Sequence, residues 1–111
     1  MMPDEIEQLV QEQIAGRWSE SNDHGIDLHF SLVTPTQIKV IEWRVKDGRS
    51  MESLLAVWLV LEERPVEKDG YQIVYSEQMK TFGLASSGAT DAQLPVLCGW
   101  YGDFLTTFKS M

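Results

Sequence analysis

Leu54-Leu55-Ala56-Val57-Trp58-Leu59-Val60-Leu61, entered through Lys46-Asp47-Gly48-Arg49, is the stretch whose reading decides the fold. It is apolar on all sides and far too short for a bilayer, which takes about 20 residues. Met51, Leu54, Leu55, Trp58 and Leu59 fit a helical stripe, and Leu, Ala, Met and Glu favour helices. Turn signals flank the run, however, and Asp-Gly suits a tight hairpin. The extended reading is therefore preferred, with Met51 to Arg64 as a long central strand. A strand apolar on both faces needs cover on both. Helices can take one side. The other needs the remaining helix, a curled sheet or a second subunit, or it leaves a large exposed patch.

Working toward the N-terminus, Ile26, Leu28, Phe30 and Leu32 alternate with Asp27, His29 and Ser31 at the period of a half-buried strand. Thr34-Pro35-Thr36-Gln37 reads as a turn, and residues 38 to 45 as the returning strand. Pairing Val33 with Ile38 sets Phe30 opposite Ile41, Leu28 opposite Trp43 and Ile26 opposite Val45. The other face then pairs His29 with Glu42 and Asp27 with Arg44, and a slip of one residue loses both sets of matches. Residues 3 to 15 read as a helix, with Ile6, Leu9, Val10 and Ile14 on one stripe. Pro3 suits its first turn, Asp4, Glu5 and Glu7 suit its dipole, and Gly16 suits a left-handed cap.

Toward the C-terminus, Pro65 to Gly70 is a loop, and Tyr71, Ile73 and Tyr75 mark a strand. Glu77 to Lys80 is a turn, Thr81 to Ala85 the return strand, and Ser86 to Ala92 a loop of small residues. Val96 to Trp100 reads as a last short strand and Asp103 to Ser110 as a closing helix faced by Phe104, Leu105 and Phe108. One helix from about Gln93 is the alternative, opposed by Pro95, Gly99 and Gly102. The fold class expected is α+β: an N-terminal helix, an antiparallel β-meander of five to six strands and a short C-terminal helix, all one globular domain over residues 1–111.

The hydrophobic fraction of 43% lets a chain of 111 residues build a core without metals or disulfides. The lone Cys98 cannot form an intramolecular disulfide, which fits a reducing compartment. The start, Met1-Met2-Pro3-Asp4-Glu5, has no basic or apolar segment, so no signal peptide is expected and the cytoplasm is the default location. Net charge is −8, of which residues 1–27 carry −6. Such a field repels nucleic acid. It serves either as a solubilising surface or as an acidic face for a basic partner, centred on Asp4, Glu5, Glu7 and Glu12.

Catalytic signatures are sparse. No nucleophile elbow or phosphate loop is present. Cys98, among Val96, Leu97 and Trp100, reads as a buried inert thiol. His24 and His29 with one cysteine match no zinc spacing, so neither metal nor cofactor is expected. The cluster that the hairpin register would assemble, Asp27, His29, Glu42 and Arg44, could do acid–base work, or could simply pair charges across a solvated face. Four tryptophans, Trp18, Trp43, Trp58 and Trp100, suit a core, and one or two with a wet edge would anchor an interface. The function expected is a small acidic non-catalytic protein-interaction domain, of an inhibitor or immunity-protein kind, acting on a basic protein or on a second copy. Neither nucleic acid nor a membrane is expected as a partner. The alternative is a small-molecule binder or enzyme with a pocket between helices and sheet.

Overall fold

The computed structural model describes residues 1–67, 69–86 and 94–111. Helix α1 (Pro3–Ile14) leads into a helical turn, α2 (Leu28–Ser31). Five strands follow: β1 (Leu32–Lys46), β2 (Arg49–Glu62), β3 (Tyr71–Ser76), β4 (Thr81–Ser86) and β5 (Val96–Gly102). Helix α3 (Phe104–Lys109) closes the chain. The sheet is an antiparallel meander that curls into a small barrel, β1-β2-β3-β4-β5. A parallel contact between Ile41 and Val96 makes the seam, where the Ile41 amide donates to the Pro95 carbonyl at 2.8 Å.

The deciding stretch is extended. Asp47 (φ 53°) and Gly48 (φ 74°) supply the two left-handed residues of a tight hairpin turn. From Val57 onward, both faces of β2 are covered within one copy of the chain. Trp58, Val60 and Leu61 join Ile73, Tyr75, Phe82 and Leu84 beneath α1 and α3. Val57, with Leu55 and Leu59, turns inward to Val40, Val74, Ala85, Leu97 and Trp100. Curling of the sheet thus covers the second face.

Helix α1 forms as its stripe predicts, with Ile6, Val10 and Ile14 buried. Each such side chain contributes about 1.5–3 kcal/mol relative to exposure. The left-handed cap falls on Ala15 and continues into Gly16. At the other end, residues 96 to 109 form a strand and then a helix. The Asp103 side chain caps α3 by accepting from the Thr106 amide at 2.7 Å, and Phe104 and Phe108 pack inward. The loop expected at 86–92 lies, beyond Ser86, outside the described residues.

Two expectations are corrected. Residues 26 to 31 do not form a strand. Asp27 accepts from the His29 amide at 2.9 Å and caps the turn of α2, which buries Leu28 and exposes Phe30. Residues 34 to 37 are not a turn but part of β1, which pairs along its length with β2. The register shift between Leu32 and Thr36 brackets Pro35, so this irregular stretch tolerates a residue with no amide to donate.

Candidate functional site

Beyond the barrel, β1 and β2 continue as a two-stranded arm. From Glu42 to Lys46 and from Arg49 to Val57 the two strands pair only with each other among the described residues, since β3 joins β2 from Trp58 onward and β5 meets β1 at Ile41. The arm accounts for the elongated outline of 45 × 27 × 20 Å.

Strand register sorts the side chains of the arm. Ile41 lies opposite Leu54, Trp43 opposite Glu52 and Val45 opposite Ser50, so all six share one face. Trp43 is 54% exposed, Val45 78% and Leu54 53%. The other face continues the barrel lining and carries Glu42, Arg44, Met51, Lys46 and Arg49. Arg44 Nε donates to Glu42 Oε1 at 2.6 Å along the strand. Lys46 sits directly opposite Arg49, a like-charge juxtaposition that destabilises a sheet, and neither makes an ion pair among the described residues. The sequence held a signal for the exposed face. Val45 and Trp43 face Ser50 and Glu52, which offer no apolar partner.

The expected polar cluster loses the strand pairing that was to assemble it. Glu42 and Arg44 remain neighbours on β1. Asp27 serves as the cap of α2, and the His29 ring stacks on Trp18 with centroids 4.7 Å apart and planes 19° apart. His24 makes the closer acid–imidazole contact, with Nδ1 at 2.6 Å from Glu63 Oε2 and the ring 5.5 Å from that of Tyr71. Burial pushes the Glu63 carboxyl up, yet the Tyr71 amide, His24 and Arg64 together hold it below the usual range. Among the described residues, no group of three or more His, Cys, Asp or Glu side chains is placed to hold a metal ion.

Asp4, Glu5, Glu7 and Glu12 are all exposed on α1. Glu5 accepts from the Met2 amide at 2.8 Å and Glu12 from Gln8 at 3.2 Å. Glu7 borders a small depression of about 190 Å³ between α1 and the start of β1, with Val10, Gln11 and Pro35. Cys98 is exposed on β5, which corrects the expectation of burial. Partial desolvation by its neighbours still raises its pKa, which disfavours the thiolate. No helix among the described residues is long and apolar enough to cross a membrane.

Comparison with known proteins adds no relative to this description: the chain matches no protein-family model, no curated protein and no solved structure.

Proposed function

We propose that this chain is a non-catalytic interaction module that associates with a second copy of itself through the β1–β2 arm. The observation that carries the reading is the apolar row Trp43, Val45 and Leu54, exposed on one face of a ribbon whose outer edges have no partner among the described residues. A two-stranded ribbon alone is marginal in water, and free strand edges template further pairing. Tryptophan at the centre of such a face is the residue type that most often anchors an interface.

Charge supports a second copy as the occupant. Lys46 and Arg49 crowd the tip with no ion pair among the described residues, while residues 1–27 carry most of the negative charge, with Asp4, Glu5, Glu7 and Glu12 displayed on α1. The Lys46–Arg49 face of one arm laid along α1 of another copy would match the two fields, while the apolar row on the opposite face of the ribbon meets the second copy's own row.

Sedimentation equilibrium across a concentration series tests this. The expected result is a reversible dimer that weakens with added salt, is lost in Trp43→Ser/Leu54→Ser, and is weakened in Lys46→Glu/Arg49→Glu. Restoration of the charge-swapped dimer by Asp4→Lys/Glu5→Lys would identify α1 as the receiving surface. A monomer at every concentration, or a dimer indifferent to the arm variants, would overturn the proposal.

A further inference from the structure

The mouth of the barrel holds a buried acid and amide that the arm does not explain. A β-bulge between Leu59 and Leu61 places Val60 and Leu61 both on the helix side, so Glu62 turns into the barrel beside Gln72, its cross-strand partner. Each of the two residues is only 7% exposed. Gln72 Nε2 donates to Glu62 Oε1 at 3.2 Å. That bond fixes the amide orientation, because a carboxylate only accepts. Gln72 Oε1 is consequently left buried with no partner among the described residues.

Both side chains line an open cleft of about 790 Å³, whose remaining walls include Val33, Ile38, Leu59, Leu94 and Pro95. Thr36 also lines it, and its hydroxyl proton is committed to the Thr34 carbonyl at 3.0 Å. At the buried end of the cleft, Glu62 and Gln72 Oε1 offer lone pairs. Lys39 stands on the rim, on the outward side of β1, and makes no ion pair with Glu62 among the described residues. A buried carboxylate with one neutral donor and a buried carbonyl with none, among the described residues, are costly to leave so, and a ligand bringing several N–H donors and a positive charge would satisfy both.

We infer that the barrel mouth binds a small primary amine with an apolar body, its ammonium group held between Glu62 and Gln72 Oε1 and its hydrocarbon on Ile38, Leu59 and Leu94. The ammonium supplies three donors and the charge that Glu62 lacks. The walls supply the apolar contact that sets orientation in small-molecule sites.

Calorimetric titration of the full chain with phenethylamine and hexylamine, against 2-phenylethanol and hexanol of matched shape, tests the inference. The amines should bind roughly ten- to hundredfold more tightly than the alcohols, the range expected of a charge-assisted hydrogen bond. They alone should shift the NMR signals of the Gln72 side-chain amide. Glu62→Gln should erase the difference between amine and alcohol. Thr36→Lys, an exposed rim substitution that puts a cation in the mouth, should abolish amine binding even if Glu62→Gln fails to fold. Equal binding of amines and alcohols, no binding of either, or full affinity in Thr36→Lys would each overturn it. None of these readouts depends on the arm, so self-association and amine binding stand or fall separately.

Discussion

The indole of Trp100 lies against the backbone of Gly83 inside the barrel, so closely that a Cβ built on Gly83 would stand 2.6 Å from Trp100 Cε3 and 2.6 Å from the Gly99 carbonyl oxygen. Gly83 and Trp100 are paired across β4 and β5. The missing side chain is what admits the ring to so narrow an interior. Gly83→Ala should therefore destabilise by about 1–3 kcal/mol, the usual cost of overpacking. Urea unfolding measures it. A stability equal to wild type would mean that Trp100 has room to move aside.

The turn of the arm needs left-handed backbone at Asp47 and Gly48, and nothing crowds Gly48. Gly48→Ala should cost about 1 kcal/mol, through backbone strain rather than collision. Because the arm pairs only with itself among the described residues, the loss should appear as faster amide hydrogen exchange over residues 42–53, with protection of β3 and β4 unchanged. Uniformly faster exchange would show that arm and barrel unfold together.

Helix α3 is six residues long and carries Phe104 and Phe108 into the core, so its start is sensitive to its cap. Asp103→Ala should cost about 1 kcal/mol, and Asp103→Asn much less. The hydrogen bond from the Thr106 amide holds the Asp103 carboxyl below its ordinary value. The charged cap is thus at full strength above the usual aspartate range and weakens as pH falls through the lowered value. Thermal unfolding at neutral and acid pH should show the Asp103→Ala deficit shrinking on acidification.

Glu63 obeys the same sign. Its folded-state pKa is lowered, so on acidification the unfolded chain takes up the proton first. Its stabilisation is complete above the ordinary value of 4.5 and drains away as pH drops through the lower folded value. Glu63→Gln should flatten the acid limb of a stability–pH curve relative to wild type. Parallel limbs would show that His24 and the Tyr71 amide do not hold this carboxylate in its charged form.

Legibility in the sequence followed the range of the interactions. Ile6, Val10 and Ile14 announce α1, Asp47-Gly48 announces the arm turn, and Asp103 announces α3, each through neighbours a few residues away. The strand expected over 26 to 32 failed because four alternating residues are also compatible with a capped turn, and Asp27 reaches its own backbone at His29. Pro35 suggested a turn where β1 is merely irregular. The position of Glu62 was hidden for another reason. Strict alternation turns it away from Leu59, and the one extra residue of the bulge at Val60 reverses that. The seam at Ile41 and Val96 joins residues far apart in the chain and leaves no local trace. The polar cluster fell with the hairpin register that assembled it.

That seam also governs the order of assembly. The antiparallel pairs join strands consecutive in the chain, whereas the parallel contact of Ile41 with Val96 joins the first strand to the last, and loop closure of that span has to be met before the contact repays it. Loop-closure entropy thus predicts that the meander pairs first as an open ribbon and that the cylinder shuts last. During that interval the inner faces of Val40, Val57 and Val74 stay wet, and a crowded refolding mixture meets the chain at its most adhesive.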